Sequence, residues 1–169
     1  MTPEKTCDEL VDFLIKTKTV EDVHSLCATF CEQFGFDHFL YGVRIPTSFV
    51  KPHFIFISGY PTEWWSRYTE KGYIAIDPVV LHGMTRLTPI SWNQVGRQEG
   101  KNEQVHLLMG EARECGLNTG VSFPIHSAQG EFAMLNLASS KNYLQTKSSI
   151  LEAMPYGSLF SAYLHEAVH

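Results

Sequence analysis

The sequence lacks any long apolar run. No stretch approaches the roughly 18 consecutive apolar residues that a membrane-spanning helix needs, and the N-terminal segment MTPEKTCDELVDF has early acidic residues and no signal-peptide core. Hydrophobic residues make up 44% and charged residues 18% of the chain, as is typical of a folded soluble domain. We therefore expect a cytoplasmic protein with no membrane partner, folded as one domain over residues 1–169.

Basic charge is also scarce. The chain has 13 Lys and Arg against 18 Asp and Glu, which gives a formal net charge of -5. A surface that binds nucleic acid needs a concentration of positive charge. The chain as given is therefore not expected to bind DNA.

Signatures of catalysis and metal binding are missing as well. The sequence contains no H-E-x-x-H, C-x-x-C or G-x-S-x-G pattern. Ser91 and Ser122 are not set in a nucleophile elbow, and four of the eight histidines are scattered along the middle of the chain: His53, His82, His106 and His126. We expect a protein that is not an enzyme and has no catalytic residue, metal site or cofactor.

Two of the four cysteines lie close together. Cys27 and Cys31 share one face of a predicted helix with His24, an arrangement that metal and redox sites also use. The same face carries a helical apolar stripe, and free cysteine packs well in cores. The stripe consists of Val20, Val23, Leu26, Cys27, Phe30, Cys31 and Phe34. Core packing is therefore the favoured interpretation of these cysteines.

Capping residues and periodicity predict helices and strands in the order ααββααβαββα. Helices are expected from Pro3 to about Lys16, from the Thr19 cap to Gly35, from Pro61 to near Gly72, briefly after Asp77-Pro78, from about Asn102 to Cys115, and from about Lys147 onward, with Pro155 and Gly157 as possible interruptions. Predicted strands are FDHFLYGVRI, HFIFISG, TPISWN, TGVSFPIHS and GEFAMLNLAS, with loops at Pro46 to Pro52 and QVGRQEGKNEQ. Hairpin-linked strands between helices indicate an α+β fold, an α/β/α sandwich around a largely antiparallel sheet.

The segment GYPTEWWSRYTEKGYIAIDPVV combines aromatic residues with a carboxylate. Tyr60, Trp64 and Tyr68 are spaced to point the same way from one helix, whereas Trp65 is expected to point elsewhere. Such stripes more often belong to a core than to a site, and Asp77 before Pro78 is equally suited to cap a helix or to bind a ligand. Together, these side chains suit a small molecule with an amide, a second carbonyl and an apolar tail.

This segment resembles the Y-P-x-x-W-x-x-x-Y and D-P-[VI]-[VL] signature of LuxR-type quorum-sensing transcriptional regulators, in their N-terminal autoinducer-binding domain. FGFDHFLYGVRIP, TPISW, EARECGLNTGVSFPI and GEFAMLNLA resemble further segments of that domain, in the same order. The resemblance runs from about Leu10 to the end of the chain. It implies a central five-stranded antiparallel sheet flanked by helices on both faces.

The resemblance also implies an N-acyl-homoserine lactone as ligand. Trp64 would donate to the lactone carbonyl, Tyr60 would donate to the acyl carbonyl, and Asp77 would accept the amide N–H. The surrounding pocket would be lined by Tyr68, Trp92, Val79, Val80, Leu40, Gly42, Leu108, Ala112 and Leu117. Ser122 falls where the family often has Thr or Ser.

Two departures from the family qualify these expectations. Asn136 stands where several members have a serine that contacts the acyl carbonyl, and its extra polar atom and volume would change or crowd that contact. The family's C-terminal helix-turn-helix DNA-binding domain is absent from this sequence. We expect either the ligand-binding part of a longer regulator or a naturally short relative, in both cases a homodimer.

Two other functions remain open at this stage. One is a domain of the same kind that senses a different small molecule. The other is a ligand-independent dimerisation module, which would follow if Asn136 and its neighbours closed the cavity.

Overall fold

Helices and strands follow one another in the order that the capping and periodicity patterns predict, with one additional helix. The computed structural model describes residues 2–46, 53–98 and 102–168. The elements are α1 (Pro3–Lys16), α2 (Val20–Gln33), β1 (His38–Ile45), β2 (His53–Ser58), α3 (Thr62–Glu70), a 3₁₀ turn (Tyr73–Ala75), α4 (Pro78–Gly83), β3 (Ile90–Ser91), α5 (Trp92–Gln98), α6 (Glu103–Glu114), β4 (Thr119–His126), β5 (Phe132–Ser139) and α7 (Tyr143–Val168).

The strands form one antiparallel sheet in the order β2-β1-β5-β4-β3, which confirms the predicted five-stranded antiparallel sheet. In the register of the sheet, Asn136 on β5 pairs with Leu40 on β1 and with Ser122 on β4. Residues far apart in sequence therefore lie side by side at the centre of one face.

One face of the sheet packs against α1, α2 and α7. Tyr41, Val43 and Phe123 point to this side, where Phe30 stacks on Phe160 with 4.3 Å between ring centroids. Alternate strand residues point to opposite faces, so Leu40, Gly42, Met134 and Asn136 face the second layer, built from α3 to α6.

The cysteine interpretation agrees with this packing. Cys27 and Cys31 are buried free thiols in the core between α2 and the sheet, and burial raises the pKa of both. Within residues 2–46, 53–98 and 102–168, no group of three or more His, Cys, Asp or Glu is arranged to hold a metal ion. Val20, predicted as part of the apolar stripe, is instead 66% exposed because it is the first residue of its helix.

The predicted helix caps are present. Thr2 accepts a hydrogen bond from the Lys5 amide, and Thr19 accepts one from the Asp22 amide. Asn102, near which a helix was predicted to begin, also caps α6 by accepting from the Gln104 amide. These caps satisfy amides that a helix leaves unpaired at its start.

Two predicted elements are wrong in detail. The predicted strand TPISWN reduces to Ile90–Ser91, and the predicted polar loop after it contains helix α5. Val95, only 2% exposed, packs with Val79 and Ile90 and holds α5 against the sheet, a tertiary contact that outweighs the polar local sequence. Of the loop predicted from Pro46 to Pro52, the structure describes only Pro46, and the rest lies outside the described residues.

The last helix is longer than predicted. It begins at Tyr143, where the Asn142 side chain accepts from the Gln145 amide, and it continues through Pro155. Proline at this position frees the carbonyl of Leu151, but both residues are solvent-exposed, so water can bond that carbonyl. In the described part of the chain, no helix has both the length and the apolar character of a membrane span.

Candidate functional site

Two adjoining cavities lie between the sheet and helices α3 to α6. The polar cavity, about 110 Å³, is bordered by α3, α4, α6 and the centre of the sheet. The apolar cavity, about 290 Å³, is bordered by β1, β2, β5, the 3₁₀ turn and α4. Side chains that border both cavities form what we call the junction: Leu40, Tyr68, Val80, Met134 and Asn136. A ligand that fills both cavities must pass through the junction.

Nearly all the residues predicted from the family resemblance border these cavities. The polar cavity is bordered by Tyr60, Trp64, Tyr68, Asp77, Val79, Val80, Trp92, Leu40, Leu108, Ala112, Leu117 and Asn136. Gly42 borders the apolar cavity. Ser122 borders neither of them, because it lies behind Asn136 and Trp92 and supports both through hydrogen bonds.

Asp77 caps a helix and faces the polar cavity at the same time. Its Oδ1 accepts from the Val79 amide at 2.9 Å, which caps α4, and its Oδ2 accepts from the Tyr68 hydroxyl at 2.8 Å. Burial raises the pKa of the Asp77 carboxyl, while the hydrogen bonds from Tyr68 and Val79 oppose that rise. Each carboxylate oxygen can accept more than one hydrogen bond, so Asp77 retains capacity for a donor in the cavity.

Two aromatic donors also border the polar cavity. Neither the Trp64 indole N–H nor the Tyr60 hydroxyl has a hydrogen-bond partner among the residues that the structure describes. Trp64 is only 3% exposed, and burial raises the pKa of Tyr60 well above its usual value. Both residues border the cavity, so a ligand carbonyl here would gain a hydrogen bond that the described protein atoms do not supply.

A chain of hydrogen bonds crosses the floor of the polar cavity. The Trp92 indole N–H donates to Ser122 Oγ at 2.8 Å, and the Ser122 hydroxyl donates to Asn136 Oδ1 at 2.5 Å. Asn136 Nδ2 then donates to the carbonyl of Leu40 at 3.1 Å. Asn136 is therefore held between Ser122 and Leu40, and the predicted crowding of the cavity by this larger residue does not close it.

The sequence prediction for Trp65 is wrong. Trp65 borders the polar cavity, stacks on Tyr68 with 5.7 Å between ring centroids, and meets Phe56 edge to face. Helical spacing predicted that Trp65 would point away from Tyr60, Trp64 and Tyr68. Tyr60 lies before the start of α3, so these three residues do not form one helical stripe, and they make up only part of the cavity wall.

Other cavity residues were missed. Met109 and Met134 border the polar cavity, and Phe54, Phe56 and Phe132 border the apolar one. The alternation of Phe54 and Phe56 on β2 was a usable signal, because residues two apart share a face. Which face they share depends on the pairing of Gly42 with Phe56 and Met134, which sequence does not reveal.

A single carboxylate ties together two walls of the polar cavity. Glu111 on α6 accepts from the Tyr73 hydroxyl and from Lys71 Nζ, both at 2.7 Å. These contacts lower the pKa of the Glu111 carboxyl, and the hydrogen bond from Lys71 has the largest effect. Glu114, three residues later, is 75% exposed and lies 3.9 Å from Arg67.

We expect Glu111→Gln to lower the melting temperature at neutral pH more than Glu114→Gln does, although both remove one charge from α6. Since the pKa of Glu111 is lowered by folding, its contribution is present above the unfolded pKa and is lost as the pH falls through the folded value. Thermal denaturation over a pH series measures this. Equal shifts for the two variants at neutral pH would contradict the role given to Glu111.

Comparisons of sequence point to one family. Residues 19–168 match the model of the autoinducer binding domain. The transcriptional activator protein LuxR of Aliivibrio fischeri (strain ATCC 700601 / ES114) is 31% identical over 146 residues, which cover 86% of this chain and 58% of LuxR. The transcriptional activator protein AhyR of Aeromonas hydrophila is 30% identical over 168 residues, 95% of this chain and 62% of AhyR. The chain therefore spans 58–62% of the length of these curated relatives.

Solved structures share the fold. The N-acylhomoserine lactone dependent LuxR family transcription factor CepR2 from Burkholderia cenocepacia superimposes with a TM-score of 0.79 at 22% identity, covering 96% of this chain and 93% of that one. SdiA in complex with octanoyl-rac-glycerol gives a TM-score of 0.69 at 21% identity, covering 89% and 64%. At these identities the likeness concerns the fold alone, and this fold agrees with the sequence matches. The chain belongs to the autoinducer-binding domain family of LuxR-type transcriptional activators.

Proposed function

We propose that this domain binds an N-acyl-homoserine lactone, with the lactone and amide in the polar cavity and the acyl chain in the apolar cavity. The observation that carries the proposal is the Asp77 carboxylate, an acceptor in a largely apolar setting beside two donors that lack a partner in the described chain. An amide N–H with carbonyls on both sides complements that set.

Each polar group has a proposed partner on the ligand. Asp77 accepts the amide N–H, Tyr60 donates to the acyl carbonyl, and Trp64 donates to the lactone carbonyl. The buried carboxylate gains a donor, which offsets part of its desolvation. The acyl chain would replace water against the phenylalanines and methionines of the apolar cavity.

Ligand binding is proposed to stabilise the domain and to control a longer regulator. A ligand that binds only the folded state stabilises it by about 2.7 kcal/mol at a hundredfold excess over Kd. In a protein with a DNA-binding domain, the ordered ligand-binding domain would pair with a second copy and set the spacing of two DNA-binding domains. In such a regulator, quorum sensing would depend on coupling between ligand binding, dimerisation and DNA binding.

A thermal-shift titration tests the proposal. The purified chain is titrated with homoserine lactones from butanoyl to tetradecanoyl, and we expect the melting temperature to rise with concentration and to depend on chain length. Homoserine lactone without an acyl chain serves as the matched control. A flat response from folded protein across the whole series would contradict lactone binding and favour a ligand-independent dimerisation module.

A monoacylglycerol is a second candidate ligand. Its hydroxyl groups can also donate to Asp77, and its chain suits the same apolar cavity. The structurally similar SdiA is in complex with octanoyl-rac-glycerol. Adding this compound to the titration separates the two: a larger shift with octanoylglycerol than with octanoyl-homoserine lactone would favour the glycerol ester.

The Trp64 contact predicts a defined loss of affinity. Trp64→Phe keeps an aromatic ring but removes the indole N–H, so the lactone carbonyl loses its donor, a change of about 1–3 kcal/mol. Isothermal titration measures the effect, with Tyr163→Phe as the control, because it removes an aromatic hydroxyl on α7, on the other face of the sheet. Unchanged affinity in Trp64→Phe would remove Trp64 from this role.

A further inference from the structure

The junction between the two cavities contains one polar side chain that faces the ligand path with an uncommitted donor. Of the five junction residues, Leu40, Val80 and Met134 are apolar, and the Tyr68 hydroxyl donates to Asp77. The fifth, Asn136, is 7% exposed and borders both cavities. A ligand chain leaving the polar cavity therefore passes Asn136.

The hydrogen-bond chain fixes which way the Asn136 amide points. An indole N–H can only donate, so Ser122 Oγ must accept from Trp92 and use its own hydrogen elsewhere. The Leu40 carbonyl can only accept, so the atom of the Asn136 amide that lies 3.1 Å from it must be the nitrogen. The amide oxygen therefore points toward Ser122 and accepts the Ser122 hydrogen.

One N–H of Asn136 is left over. The side-chain amide has two N–H groups, and the Leu40 carbonyl takes one of them. The other has no acceptor among residues 2–46, 53–98 and 102–168. A methylene group packed against this buried N–H would leave it unpaired, whereas an oxygen at the same place would accept from it.

We propose that Asn136 is a specificity-determining residue that selects acyl chains carrying an oxygen close to the amide, such as 3-oxo or 3-hydroxy chains, over plain chains. This inference rests on the proposed function, in which Asp77 takes the amide N–H and Tyr60 takes the acyl carbonyl. Asn136 borders the polar cavity together with Asp77 and Tyr60, and it also borders the apolar cavity, so the proposal places the first carbons after the acyl carbonyl beside it.

Isothermal titration with three ligands of equal chain length tests the proposal. The probes are octanoyl-, 3-oxooctanoyl- and 3-hydroxyoctanoyl-homoserine lactone. In the wild-type chain we expect both oxygenated ligands to bind roughly tenfold more tightly than the plain one, the scale of one hydrogen bond that satisfies a buried donor. In Asn136→Leu, which matches the size without the donor, that ratio falls to about one.

Met154→Leu is the matched control, because Met154 lies on α7, packs against the core on the other face of the sheet, and its replacement leaves the donor intact. It is expected to preserve the tenfold ratio. The wild-type ratio requires no variant, so the test stands even if Asn136→Leu does not fold.

The opposing outcomes are distinct. Equal or tighter wild-type binding of the plain chain overturns the role of Asn136 and leaves lactone binding intact. A preference for oxygenated chains that persists in Asn136→Leu assigns the donor to another residue and likewise overturns it. No binding of any of the three by folded protein overturns the proposed function and this inference together.

Discussion

Replacing Asp77 with Asn is expected to abolish the response to ligand while the domain remains folded. The substitution preserves size, and the remaining side-chain oxygen can still accept from the Val79 amide and cap α4. The new NH₂ group takes the place of Oδ2, where it faces the Tyr68 hydroxyl and the proposed ligand amide. Two donors then oppose each other, and the ligand loses its only proposed acceptor.

The expected loss is about 3 kcal/mol or more, which corresponds to over a hundredfold in Kd. Isothermal titration measures the affinity, and circular dichroism with thermal denaturation shows whether the variant is folded. Asp22→Asn provides the control, since Asp22 is exposed on α2, on the opposite side of the sheet. If Asp77→Asn binds its ligand as the wild-type chain does, Asp77 does not accept the amide.

Replacing Gly157 with Ala is expected to produce a large loss of stability outside the ligand site. α7 crosses β4 at this glycine, and a Cβ at this position would overlap the ring of Phe123, which is 1% exposed. A buried ring in a packed core cannot move aside without strain. We expect a loss of about 2 kcal/mol or more, equivalent to a fall of about 4–8 °C in melting temperature for a domain of this size.

Gly110→Ala is the matched control for this prediction. Gly110 is also inside a helix, α6, but a Cβ there would meet no atom within 4 Å. Helix propensity then acts alone and stabilises by up to about 1 kcal/mol. Thermal denaturation of both variants gives the comparison, and a Gly157→Ala protein as stable as Gly110→Ala would contradict the close contact between α7 and β4.

Local signals predicted most of the secondary structure. Thr2, Thr19 and Asn102 each precede a helix and cap it through a contact within three residues, so the sequence contains the cause of each helix start. Helix α5 was not predicted because its stability depends on Val95 packing against residues distant in sequence. The start of α7 is a different case, because Asn142 caps it through a contact three residues away and this local signal was overlooked.

The site was predictable in its residues and only partly in its arrangement. The Asp-Pro pair suggested either a cap or a ligand contact, and in the structure one oxygen of Asp77 makes the cap while the other faces Tyr68. The chain of hydrogen bonds through Asn136 could not be predicted, because it depends on the sheet register that places Leu40, Asn136 and Ser122 side by side. Division of the space into a polar and an apolar cavity depends on the same register.

The central claim is that Asp77 accepts the amide N–H of an acyl-homoserine lactone, and a change in the ligand tests it most directly. In the ester analogue, an oxygen replaces the amide N–H while the lactone and acyl chain stay the same. Isothermal titration of the wild-type chain with both compounds, at the best chain length from the thermal-shift series, gives the ratio of their dissociation constants. We predict that the amide binds over a hundredfold more tightly, because the ester presents an acceptor to the carboxylate. Equal affinities for amide and ester would contradict the claim.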